Sequence, residues 1–132
     1  MKSVKLSTYP GIRVNSSINE WNKEIENKSN YDIVPGKVYS YNGNIYFGTQ
    51  NKNIDNYWIT IGNPDKFTSW SAMAKYTGTI RELSYFTSWD KAVSAGDLCK
   101  VGKDYYVFKD GGNTSSGPEK EPGRWQKIYL NE

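Results

Sequence analysis

The side chains of this sequence that could do chemistry are rings, carboxylates and a single thiol. The chain has 132 residues, with eleven tyrosines, five tryptophans, one cysteine and no histidine. Without histidine there is neither a Ser-His-Asp triad nor a Cys-His dyad, and no Cys/His zinc site can be assembled. Cys99 has no partner for an intramolecular disulfide. It falls in an expected strand and reads as a small buried hydrophobe rather than a nucleophile. Glu119 and Glu121 stand in a turn-rich loop beside Lys120 and Arg124. Paired carboxylates hydrolyse glycosides only when held at a fixed separation, so these two read as solvated loop residues. Asp97 reads as a turn or cap residue. The expectation is a chain that is not an enzyme and needs no cofactor or metal.

Rings must be positioned by something, and the turn chemistry says by what. Val38-Tyr39-Ser40-Tyr41 and Asn44-Ile45-Tyr46-Phe47 flank Asn42-Gly43. That dipeptide suits a two-residue type I′ turn, in which both central residues need positive φ. A second hairpin is expected from Gly96 to Phe108, one residue shorter. Short strands are read at Tyr57–Ile61, Thr79–Tyr85 and Arg124–Tyr129. Ser17-Ile18-Asn19-Glu20 has capping-box spacing, which predicts a helix from about Ile18 to Lys28 with Trp21 and Ile25 on one face. Phe67-Thr68-Ser69-Trp70 recurs as Phe86-Thr87-Ser88-Trp89, each copy followed by a helix-permissive run.

The two hairpins belong to a longer repeat. In each half the order is a helix with Trp, a glycine, a hairpin, a polar loop, then a Trp strand. Trp58-Ile59-Thr60-Ile61 matches Trp125-Gln126-Lys127-Ile128, and Trp21 matches Trp89. The expected organisation is an N-terminal arm at 1–16, a first β module at 17–62, a connector at 63–85 and a second β module at 86–132. The fold class is mainly β with short helices (α+β), built from two related small antiparallel β units.

Composition bounds the rest. The formal charge is +3 and aromatics make up 15% of the chain, so the core must lean on Tyr and Trp. Lys and Glu are interspersed, without the dense basic block that neutralises many phosphates; nucleic acid is disfavoured as a partner. No apolar run is long enough to cross a bilayer, and the N-terminus lacks the apolar middle of a secretory signal.

The repeat resembles the small chitin-binding carbohydrate-binding modules of the family 5/12 group. The first copy carries Tyr31, Gly36, Tyr39, Tyr41, Gly43, Tyr46, Trp58, Ile61 and Gly62 at the family's spacing. The second carries Gly96, Asp97, Gly102, Tyr105, Pro122, Trp125 and Ile128. Where the family often has an exposed aromatic pair, this chain reads Gly48-Thr49-Gln50 and Lys109-Asp110-Gly111. The second half also resembles repeat segments of bacteriophage fibre and virion-surface proteins, from Phe86 to Val107.

The resemblance implies a carbohydrate-binding-module-like fold and rings that stack on sugar C–H faces, with amides taking the hydroxyls. Strand alternation then selects the rings. If Trp58 is core, Tyr57 faces out; the same logic separates Tyr105 from Tyr106 and sets Tyr129 opposite Ile128. Trp70 lies outside both units, and Tyr41 ends the first hairpin strand. The expected ligand-binding set is Tyr57, Tyr105, Tyr106, Trp70, Tyr41 and Tyr129. The implied role is a non-catalytic, phage-type virion-surface or fibre protein contacting cell-surface polysaccharide, in company with other virion proteins or further copies of itself. The alternative is a purely structural decoration or assembly protein; a nucleic-acid binder or host inhibitor ranks below both.

Overall fold

The computed structural model describes residues 3–5, 15–17, 19–55, 59–68, 72–86, 91–110, 112–114 and 116–128. The first half runs β1 (Ser3–Lys5), β2 (Asn15–Ser17), β3 (Asn19–Glu20), α1 (Trp21–Glu24), β4 (Asn30–Ile33), β5 (Val38–Tyr41), β6 (Asn44–Gly48), β7 (Lys52–Asp55), α2 (Asp65–Thr68) and β8 (Met73–Lys75). The second half runs β9 (Ile80–Glu82), a 3-10 turn at Leu83–Tyr85, β10 (Lys91–Val93), β11 (Leu98–Val101), β12 (Asp104–Phe108), β13 (Gly112–Thr114) and β14 (Trp125–Ile128). The chain is mainly β, as its composition and turn signals predict.

Two four-stranded sheets form, in the orders β3-β5-β6-β8 and β9-β11-β12-β14. β3 runs parallel to β5, and β9 runs parallel to β11. Each sheet carries a small antiparallel pair beside it, β4-β7 and β10-β13; β1 and β2 pair with each other. The first hairpin turns at Asn42 (φ 52°) and Gly43 (φ 82°), the two positive φ angles of the expected type I′ turn. The second turns at Gly102-Lys103, where only the glycine has positive φ (63°), the glycine-first pattern of type II′.

The two hairpins have the same length, not one residue's difference. Val38 pairs with Phe47 and Leu98 with Val107, so equivalent residues stand at a constant offset of 60. This register also revises the repeat. Asn19 lies beside Tyr39 as Arg81 lies beside Cys99, so Trp21 corresponds to Leu83 rather than to Trp89. Trp125, opposite Phe108, corresponds to Met73, opposite Gly48. Ile59 and Thr60 are exposed and lie in no strand. The segment read as a connector supplies an edge strand to each sheet, β8 to the first and β9 to the second.

Helix is scarcer than expected. α1 ends after four residues, because Ile25 leaves the helical region (φ −129°). Glu20 occupies the cap position with no side-chain cap bond, and Ser17 lies in β2, paired with Ser3. Trp21 and Ile25 nevertheless share a buried face. The runs after the two Phe-Thr-Ser-Trp copies contain strands, β8 and β10, where helices were expected: their backbones extend to pair with β6 and β13. Local propensity lost to tertiary context.

The sheets pack face to face. Val38, Ile45, Phe47 and Ala74 of the first meet Leu98, Tyr105, Val107 and Ile128 of the second in one buried cluster. Alternation sends the other face of each sheet outward. On the first sheet Tyr39, Tyr46 and Met73 pack with Trp21, Ile25, Ile33, Ile54 and Phe67. On the second, Cys99, Phe108 and Trp125 pack with Phe86 and Val93. Gly96 (φ +99°) binds the halves tightly: a Cβ there would lie 1.9 Å from the Lys75 carbonyl oxygen.

One shared layer predicts one cooperative transition. Phe47→Ala removes a fully buried ring from it and is expected to cost about 3–5 kcal/mol. In urea denaturation the two sheets should still be lost together; two separate transitions would refute a common core.

Candidate functional site

Of the expected ligand-binding rings, Tyr57, Trp70 and Tyr129 lie outside the described residues, as do Trp58 and Trp89. The structure places the other three differently from one another. Tyr105 is 6% exposed and sits in the layer between the sheets. Tyr106 points the opposite way, as alternation requires, but is half-buried against the outer cluster of the second sheet. The second sheet is covered on both faces, so neither residue presents a bare ring. Tyr41 is half-buried against the first outer cluster and borders an open cleft of about 290 Å³ with Asn22, Glu26 and Asn42.

Tyr41 is held there by local causes. It is the last residue of β5, directly before the type I′ turn, and Asn42 is committed to positive φ by that turn. The indole N–H of Trp21 donates to the Gly62 carbonyl at 2.6 Å, which anchors α1 and sets Asn22 on its exposed side. The chain then turns through Ile25, whose N–H donates to Trp21 O, and this brings Glu26 to the hairpin. The Tyr41 hydroxyl donates to Glu26 Oε1 at 3.2 Å. Burial, and then the Glu26 carboxylate, push the Tyr41 phenol above its ordinary value. The result is a ring flanked by two side-chain amides and a carboxylate. Asn22 lies on α1 and Glu26 just past its end; nothing in the sequence pattern marks either as a neighbour of the hairpin.

Tyr39 and Tyr46 are scaffold. Tyr39 is fully buried, edge-on to Trp21 at 5.3 Å between centroids, and shares a hydrogen bond of 2.8 Å with the Tyr31 hydroxyl. Tyr46 donates from its hydroxyl to Asp65 at the start of α2. Asp97 accepts from the Ser94 N–H at 3.0 Å and from the Thr77 hydroxyl, which is a turn role. Glu121 accepts from the Thr114 hydroxyl and lies 3.5 Å from Arg124, while Glu119 is exposed; the two are not a facing pair. Among the described residues no group of three or more His, Cys, Asp or Glu is placed to hold a metal ion, and no helix is long and apolar enough to cross a membrane.

No protein-family model, curated protein or solved structure matches the chain. Function must therefore be argued from the site. The Tyr41 cleft is suited to binding by stacking and hydrogen bonding.

The buried acids make a test of this packing. Burial pushes the Cys99 thiol up to about 11 and the Tyr76 phenol up to about 12, and raises Tyr39 and Tyr46 further. The unfolded chain loses these protons near 9 for Cys and 10 for Tyr, while the folded chain keeps them. Above those values the unfolded state binds fewer protons, so stability falls as pH rises. The melting temperature should be level from pH 7 to 8 and drop steeply above pH 10. Cys99 should resist thiol reagents at pH 8 until denaturant is added; rapid labelling of the native protein would contradict its burial.

Proposed function

We propose that this chain is a non-catalytic, glycan-contacting protein of the phage virion-surface or fibre type, with carbohydrate-binding-module-like repeats. The observation that carries the proposal is the Tyr41 cleft. Sugars offer C–H faces to a ring and hydroxyls to amides and carboxylates, and here one half-buried tyrosine stands with Asn22, Asn42 and Glu26 around an open space. The ring is already ordered by its Glu26 hydrogen bond, so little side-chain entropy is left to lose on binding. The repeated hairpin supports the same reading, through the resemblance to chitin-binding modules. A virion-surface location and a cell-surface polysaccharide partner belong to this proposal.

A second reading is favoured by a different observation. Among the described residues most rings in the repeat are buried, Tyr39, Tyr46 and Tyr105 among them, as they would be in a purely structural decoration protein held to other virion subunits.

A glycan array and a pull-down on chitin and bacterial walls separate the two. The first reading expects binding that Tyr41→Ala weakens about tenfold, equivalent to about 1.4 kcal/mol, and that Tyr41→Phe weakens less. Blank arrays for correctly folded protein, with co-purification of a capsid or tail subunit, would select the second.

A further inference from the structure

A cleft of about 400 Å³ opens on the outer side of the first sheet, lined by Asn19, Glu24, Ile25, Lys28, Tyr31 and Lys37. That volume lies in the range of small-molecule sites. Its side chains share one face. Asn19 stands beside Tyr39 in the sheet register, and Tyr39, Tyr31 and Ile25 belong to the outer cluster. Lys37 alternates with Val38, which faces the inner layer. Lys28 Nζ stands 6.0 Å from the centroid of the Tyr31 ring and Lys37 Nζ 5.8 Å from that of Tyr39; the hydroxyls of these two rings are hydrogen-bonded to each other. The ion pairs among the described residues are Lys23–Glu20, Arg124–Asp110, Arg124–Glu121 and Lys127–Asp104; Glu24, Lys28 and Lys37 join none of them. Asn19 is only 4% exposed. Its Nδ2 donates to the Val38 carbonyl at 3.1 Å, which leaves Oδ1 as the end for the cleft. Among the described residues nothing donates to that oxygen.

The repeat supplies an internal control. Arg81 stands where Asn19 does, each beside the equivalent residue of its hairpin. Lys91 stands where Tyr31 does, since Tyr31 pairs with Ile54 as Lys91 pairs with Thr114, again at an offset of 60. In the second unit the Arg81 guanidinium lies 4.2 Å from the centroid of Tyr85, and Lys91 Nζ lies 5.2 Å from it. One ring of the chain itself thus lies against both positions. In the first unit Asn19 is short, both positions border the open cleft, and the acceptor of a buried amide goes unused. A buried polar atom without a partner is unfavourable, and a ligand that donates to it removes that cost.

We infer that this cleft takes one unit of an acidic polysaccharide, a sugar bearing a carboxylate or a phosphate, in the place that Tyr85 fills in the second unit. The demands of the wall are mixed. Asn19 Oδ1 and the Glu24 carboxylate accept, and so call for the hydroxyls of a sugar. Lys28 and Lys37 only donate. Two lysines against one glutamate leave the wall with an excess of positive charge, which favours a negative substituent. A bare anion would leave both acceptors unmet, and a neutral sugar would leave the charge. This deepens the glycan reading and rests on it. α1 and the turn after it supply both clefts, with Asn22 and Glu26 at Tyr41 and with Glu24, Ile25 and Lys28 here.

The test uses the full chain and four probes: an oligouronate, a hexose phosphate, a neutral chitin oligosaccharide and single-stranded DNA. Calorimetry should show one or both acidic sugars binding, more weakly as salt rises. Lys28→Gln and Lys37→Gln should each reduce that binding about tenfold, or about 1.4 kcal/mol, with chitin-oligosaccharide binding unchanged. Lys103→Gln, at the exposed turn of the second hairpin, should change neither; an equal loss there would mean diffuse attraction by charge and overturn the site. Unchanged melting temperatures would show the variants folded. Neutral binding that persists while both acidic sugars fail overturns this inference and leaves the glycan reading standing. No sugar binding at all overturns both. DNA binding lost in the same lysine variants, with no acidic sugar bound, overturns it in favour of a nucleic-acid site.

Discussion

The structure depends on the contact between the inner faces of its two sheets. Each four-stranded sheet has apolar residues on both sides, and its own helix or turn and small strand pair cover only the outer one. The inner side, with Val38, Ile45 and Phe47 on one sheet and Leu98, Tyr105 and Val107 on the other, has no cover but its counterpart. Burial of apolar area is the main favourable term in folding, and in a chain this small neither half holds enough of it alone. The two units are therefore halves of one core rather than beads on a string.

That constraint explains which rings stay accessible. Alternation puts neighbouring strand residues on opposite faces, but exposure follows only if one face meets water. Here neither does, so Tyr105 and Tyr106 are both covered, one by each layer. At Tyr41 the strand runs out against the turn of the first hairpin, and the ring keeps an open side.

Legibility from sequence followed the range of the interaction responsible. The first hairpin was readable because Asn42-Gly43 settles its turn within two residues. Cys99 and Asp97 were readable because burial and turn-capping leave local marks. The edge strand β8 was not, since its partner β6 is distant in sequence and nothing in Met73-Ala74-Lys75 announces it; β9 was, within the strand read at Thr79–Tyr85, but not its parallel pairing with β11. The Phe-Thr-Ser-Trp echo was misleading: Phe67 sits on α2 and Phe86 follows the 3-10 turn, so a sequence likeness crosses structurally different places. The Tyr41 cleft was half legible. Its ring was named, while Asn22 and Glu26 are brought to it by the packing of α1 against the first hairpin, a contact between segments distant in sequence.

Two like sheets meeting by like faces is the arrangement that a single unit would have as a pair of identical subunits. In such a pair every substitution appears twice, and a charge introduced at the seam is introduced on both sides. Fusion into one chain removes that coupling. Ile45 can remain while its counterpart becomes Tyr105, and Ser40 can remain while its counterpart becomes Lys100. The first sheet can then keep the seam well packed while the second departs from it. Asymmetry of this kind is open to two units carried on one chain and closed to a pair of identical subunits.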